Sequence, residues 1–127
     1  MIYQELCLGV VKAEAKADYL AIIEALAERG VEAEVVDLRC LRPLDTATVI
    51  ESVKKTNRAV VVEETWRTGG FGAEIASTIQ ERAFDHLDGP VTRLAGPDVP
   101  AMPFSPPLEA MFMLDSAKIA ASIRDLA

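Results

Sequence analysis

Residues 59–72 read Ala59-Val60-Val61-Val62-Glu63-Glu64-Thr65-Trp66-Arg67-Thr68-Gly69-Gly70-Phe71-Gly72. Ala59 to Val62 is apolar at every position, so both faces of the strand it forms must be covered, as in a parallel sheet between helical layers. Glu63 and Glu64 are expected to end that strand. Trp66 and Arg67 then fall in a loop, and the glycines turn the chain into a helix with Ile75, Ala76, Ile79 and Ala83 on one side. Gly89-Pro90 leads into a short strand through Leu94.

Upstream, Asp45 opens a helix as its N-cap, with Val49, Ile50 and Val53 as the inward stripe. Lys54 and Lys55 meet the negative end of the helix dipole, and Asn57 stops the helix. Val31 to Leu38 reads as a strand that cannot continue past Pro43. Before it, Tyr19, Ile22, Ile23 and Leu26 recur at helical spacing behind an N-cap at Asp18, with Gly30 at the left-handed C′ position. Glu5 to Val11 is a first, buried strand. The alternation predicts an α/β fold, a parallel sheet joined by right-handed crossovers and sandwiched between helices, in one domain over residues 1–127.

Downstream the character changes. Gly96 to Pro107 holds five of the seven prolines, which predicts an ordered, extended surface arm over residues 96–107. Asp115 or Ser116 caps a last helix with Ile119, Ala120, Ile123 and Leu126 facing inward. Met102, Phe104, Leu108, Met111, Phe112 and Met113 gather around the arm, and a partner is favoured over the domain itself as their cover.

The net charge of −7 over 127 residues argues against nucleic acid and anionic membranes, which call for a clustered positive field, and favours a basic protein partner. Cys7 and Cys40 lie in apolar stretches without a ligand at metal spacing, so both are expected to be buried thiols, with no metal bound. Met1 to Glu5 lacks the charged start of a secretory signal, which points to the cytoplasm or, after removal of a presequence, a mitochondrial matrix.

Candidates for chemistry are few. Glu63 and Glu64 are adjacent, so in a strand they face opposite ways and cannot share a proton; a strand end with one partner each is the favoured reading. Glu74 suits the first turn of a helix without any function, and His86, the single histidine, sits at a helix end with no marked partner. No serine elbow or cysteine–histidine arrangement is present. The glycine turn lacks the spacing of phosphate loops, and close helix-to-strand packing is its favoured reading. Trp66 and Arg67 are the residue types that anchor interfaces, although a tryptophan capping the core fits Trp66 equally.

Several stretches together carry a resemblance. They are Gly30-Val31-Glu32-Ala33-Glu34-Val35-Val36-Asp37-Leu38-Arg39, Leu41-Arg42-Pro43-Leu44-Asp45, Glu51-Ser52-Val53-Lys54-Lys55-Thr56 and Val60-Val61-Val62-Glu63-Glu64. They continue with Arg67-Thr68-Gly69-Gly70-Phe71-Gly72-Ala73-Glu74-Ile75, Gly96-Pro97-Asp98-Val99-Pro100 and Pro106-Pro107-Leu108-Glu109. Over roughly residues 24 to 126 the chain resembles the C-terminal domain of the beta subunit of thiamine-diphosphate-dependent 2-oxo acid dehydrogenases, the E1 component of pyruvate and branched-chain complexes.

The resemblance implies a transketolase C-terminal-like fold, a three-layer α/β/α sandwich with a five-stranded, mostly parallel mixed sheet. It implies that thiamine diphosphate and magnesium belong to other domains of the parent enzyme, so that this chain holds no cofactor and no catalytic residue and is inactive alone. Implied partners are the E1 alpha and beta subunits or their thiamine-binding domains, and the basic subunit-binding domain of the E2 acyltransferase. The acidic docking position corresponds to Asp88. Together with Trp66, Arg67, Phe104, Met111 and Phe112 it makes up the candidate interface.

Residues 1–23 depart from the family pattern. Asp18 to Ile23 is read as the start of a helix rather than a shortened strand, and a missing edge strand would invite pairing with a second copy. Two other readings stand beside assembly. One is a free-standing small-molecule or nucleotide binder that uses the Gly69 to Gly72 loop at the carboxyl ends of the strands. The other is a regulatory paralogue that binds E2 without supporting catalysis.

Overall fold

The computed structural model describes residues 4–10, 16–101 and 103–126, with side chains from Ile22 to Asp125 apart from Met102. Its elements are β1 (Gln4–Val10), α1 (Lys16–Ala27), β2 (Val31–Asp37), α2 (Thr46–Thr56), β3 (Ala59–Trp66), α3 (Phe71–Ala83), β4 (Thr92–Gly96), α4 (Pro106–Phe112) and α5 (Ser116–Leu126). A 3₁₀ turn, Phe84–His86, follows α3. The side chains of Cys7, Tyr19, Met102 and Leu126, for which burial, an inward face or a partner is expected, lie outside the described set.

The strands run in the order β2-β1-β3-β4, and every pairing between them is parallel. Among the described residues the sheet thus has four strands where the resemblance implied five in a mixed sheet. The antiparallel pairing found there is one isolated bridge, Leu41 to Leu44, in the loop after β2.

Alternation along β3 divides the core. Ala59 and Val61 pack with Val36, Leu38, the inward stripe of α2 (Val49, Ile50, Val53) and Ile75, Ile79 and Ala83 of α3. Val60 and Val62 face the opposite way, against Ile22 and Leu26 of α1 and Ile119 and Ile123 of α5. Helices therefore cover both sides of the central strand, which is why it can be apolar throughout.

Local signals set most of the boundaries. The Asp45 carboxylate accepts from the Thr48 amide at 3.1 Å, and the Thr48 hydroxyl donates to its other oxygen at 2.7 Å. Asn57 closes α2 in the left-handed region at φ 60°, and Gly30 follows α1 at φ 80°. Asp115, not Ser116, caps α5 by accepting from the Lys118 amide at 2.8 Å.

Four expectations need correction. The first helix begins at Lys16, so Asp18 lies inside it rather than capping it. β3 continues through Glu63 and Glu64 to Trp66, because Glu63 is matched by an arginine and Trp66 pairs with Gly96 on β4. The proline arm is not extended to its end: Pro106 and Pro107 occupy the first helical positions of α4, where the missing amide hydrogens cost nothing. Cys40 is exposed, since it lies in the loop beyond the end of β2. Among the described residues no helix is long and apolar enough to cross a membrane.

Candidate functional site

Glu63 is the most buried charged side chain described, at 2 % exposure on β3. Arg93 of β4 donates from Nη2 to its Oε1 at 2.6 Å, and the Gly72 amide in the first turn of α3 donates to Oε2 at 2.8 Å. The glycines are there for this carboxylate. A Cβ on Gly70 would lie 2.5 Å from the Trp66 carbonyl oxygen and 2.7 Å from Glu63 Oε2, and one on Gly72 would overlap Glu63 Oε1. The anion held at this helix N-terminus is therefore the chain's own.

The same groups tie β3 to β4. Arg93 Nη2 also donates to the Arg67 carbonyl at 2.8 Å, Arg67 Nη1 returns to the Arg93 carbonyl at 3.0 Å, and the Arg67 amide reaches the Gly96 carbonyl at 3.1 Å. Thr68 adds two bonds to Asp98, from its amide at 2.9 Å and its hydroxyl at 2.8 Å. These two bonds, the amide first, hold the Asp98 carboxyl below its ordinary value, helped by the charges of Arg67 and Arg93. The result is a clasp at the carboxyl end of the sheet whose donors and acceptors are mostly turned on one another, with Arg93 Nε the buried donor left over, a device for holding shape. The sequence points to one partner for Glu63 at a strand end; the structure supplies that partner, Arg93, but carries the strand on past Glu63.

Beyond the clasp, Pro97, Val99, Ala101, Pro103, Leu108 and Met111 line an open apolar groove of about 330 Å³. Phe104 stands fully exposed beside it in sequence, Met111 is 75 % exposed and Leu108 is 54 % exposed. Trp66, at the end of β3, is 43 % exposed. Phe112 belongs elsewhere. It is buried, forming the floor of the groove, and its ring occupies the space above Gly96, where a Cβ would come within 2.6 Å of Cζ. It is thus a core residue rather than a contact for a partner. Arg67, though exposed, already spends its guanidinium and backbone within the clasp.

Asp88 lies at the other end of β4. It is exposed, and its amide donates to the Asn57 carbonyl at 2.9 Å while Asn57 Nδ2 donates to the His86 carbonyl at 2.6 Å. The five residues of β4 span about 16 Å, so Asp88 forms no single patch with the groove. Phe84, 63 % exposed in the same turn, was not singled out from the sequence because it closes a helix whose inward positions were already filled.

The transketolase C-terminal domain model matches residues 16–119. The chain belongs to that family. This transketolase C-terminal domain is 48 % identical over 96 residues to the mitochondrial pyruvate dehydrogenase E1 component subunit beta of Dictyostelium discoideum, covering 76 % of the chain and 27 % of that protein. It is 43 % identical over 108 residues to the 2-oxoisovalerate dehydrogenase subunit beta of Bacillus subtilis, covering 85 % of the chain and 33 % of the relative. The chain thus spans about a third or less of the length of these relatives. The fold is shared with a solved structure described as a split gene transketolase, an inactive beta4 tetramer, at a TM-score of 0.77 and 24 % identity over 96 % of this chain and 38 % of that one. It has the transketolase C-terminal-like fold that the resemblance implied.

Proposed function

We propose that this domain is a non-catalytic assembly module of a 2-oxo acid dehydrogenase E1 beta subunit, which pairs subunits through the carboxyl end of its sheet and docks E2 through the turn at Asp88. The observation that carries the reading is the apolar groove beside the proline arm. Its walls and the neighbouring Phe104 leave large side chains in water that only association would cover. E1 subunits are the occupant that the relatives suggest.

The Phe84 to Asp88 turn supports the second contact. The exposed aromatic Phe84 opens a turn that carries Asp85 and Asp88, and a basic subunit-binding domain complements that charge. Thiamine diphosphate and magnesium, the cofactors of the parent enzyme, have no place in this reading of the domain. The one helix N-terminus next to a glycine turn has its Gly72 amide bonded to Glu63, which does not fit a diphosphate.

Light scattering during size exclusion should find self-association or association with E1 partner subunits, and lysine at Met111 should abolish it. Calorimetry with the E2 subunit-binding domain should give saturable binding. A monomer at every concentration that ignores both partners would sink the proposal, as would turnover of pyruvate by the purified chain with cofactor alone.

A further inference from the structure

A second cavity, an open cleft of about 1000 Å³, lies at the carboxyl end of the sheet, on the side of α2 and α3 and away from the apolar groove. Its walls are the loop after β2 and the turn that opens α3. Open parallel sheets place their ligands at this end of the strands. The Leu41 to Leu44 bridge makes a tight turn with Arg42 and Pro43 at its tip. Across the cleft, Glu74, Thr78 and Arg82 stand at successive i+4 positions of α3, so they share one face of that helix.

Arg42 and Arg82 are both exposed and neither has a hydrogen-bond or ion-pair partner among the described residues. Both guanidiniums face one cleft of a chain of net charge −7, in which acids outnumber bases by 20 to 13, and Glu74 is the one carboxylate in its lining. The same walls carry the apolar side chains of Leu41, Pro43, Leu44 and Phe71 beside the polar ones of Thr46, Glu74 and Thr78.

We infer that this cleft binds a small organic anion, a carboxylate or phosphate carried on an apolar body, with Arg42 and Arg82 as its cationic contacts. Guanidinium groups pair bidentately with either headgroup, and the apolar patch accepts the body. The α3 amide at Gly72 takes no part, because Glu63 holds it. Glu74 opposes the ligand and sets an upper limit on affinity. The site is independent of the assembly proposal: loss of E2 or subunit binding leaves it untouched, and the reverse also holds.

The test is a titration of the full chain with phenyl phosphate, benzoate and inorganic phosphate, followed by the amide resonances of Gly69, Gly70, Phe71 and Ala73. Saturable shifts at these amides are expected for at least one of the two aromatic anions, and whichever binds more tightly identifies the headgroup. Arg42→Ala and Arg82→Ala should each weaken binding by about tenfold, the double variant should abolish it, and Glu74→Gln should tighten it severalfold. Because these side chains lie on the surface, circular dichroism should find the variants folded. Non-saturating shifts, shifts mapping to another face, or unchanged binding by the double variant would overturn the inference. Inorganic phosphate binding as tightly as phenyl phosphate would remove the apolar body from it.

Discussion

At the carboxyl end of the sheet, β3 and β4 are joined by a buried carboxylate, two arginines, a threonine–aspartate pair and glycines that let them close up. At the amino end of β4 the chain is held by Asn57, through one backbone bond to Asp88 and one side-chain bond to the His86 carbonyl, and by Leu87 and Val91 packed on the core. The first end is built of groups that satisfy one another and leave apolar side chains on the arm beyond. The second leaves its charges in water. Changes at the clasp should therefore act on folding, and changes at the Asp88 turn should act on binding while the fold persists.

The hardest way to break this contrast is Glu63→Ala, which leaves Arg93, with a side chain 16 % exposed, without its counter-charge. Removing one partner of a buried pair costs about 3–5 kcal/mol, and urea unfolding should register a loss of that order. A midpoint unchanged from the parent chain would mean that the clasp holds nothing. Gly96→Ala ranks next. Its Cβ would meet the Phe112 ring and the Thr65 carbonyl, so either α4 shifts or the strands part, at about 1–3 kcal/mol. The same change should alter the apolar groove, since Phe112 is its floor, and exchange at the amides of α4 should quicken relative to α2.

Asp88→Arg sharpens the comparison from the other side. The unfolding midpoint should stay where it is, because the Asp88 side chain has no partner among the described residues and its backbone amide is retained. Association with the E2 subunit-binding domain should slow by about tenfold at low ionic strength, and the gap to the parent should narrow as salt rises, as expected when a steering charge is reversed. Equal association rates for the two proteins would remove Asp88 from the docking surface.

The same division separates what the sequence disclosed from what it concealed. Asp45, Asn57 and Gly30 act on residues within four positions of themselves, and each was legible in its role. The all-apolar run Ala59 to Val62 announced a strand covered on both faces, and with it the layered sheet. For Glu63 a partner was legible but not which one, because Arg93 is 30 residues away, and the strand was ended too early since no local rule ranks that pairing above a strand end. Phe112 was assigned to a partner for a related reason. Around the prolines the apolar residues follow no period, and only the missing Cβ of Gly96, sixteen residues earlier, makes room for that ring. The groove and the cleft likewise arise where loops from separate strands meet, which periodicity along one segment cannot encode.

The smallest expected effect lies at the rim of the clasp and depends on pH. Two hydrogen bonds from Thr68 and the charges of Arg67 and Arg93 lower the Asp98 pKa from its ordinary 3.8. A group with a depressed folded pKa contributes stability that is fully present above its unfolded value. That contribution is lost as pH falls from there through the folded value. Asp45, lowered chiefly by the Thr48 hydroxyl and then the Thr48 amide, carries the same sign at the start of α2. Thermal scans of the parent chain alone would sum the two. Asp98→Asn separates them: near neutral pH it should be slightly less stable than the parent, and the gap should close as pH drops below about 3.8, where the parent's own carboxyl takes up a proton. Because Asp98 is exposed, the gap should be small beside the loss from Glu63→Ala. A gap that persists unchanged into acid would mean that the asparagine disturbs the turn for reasons of shape, and that the Thr68 bonds do not distinguish charged from neutral Asp98.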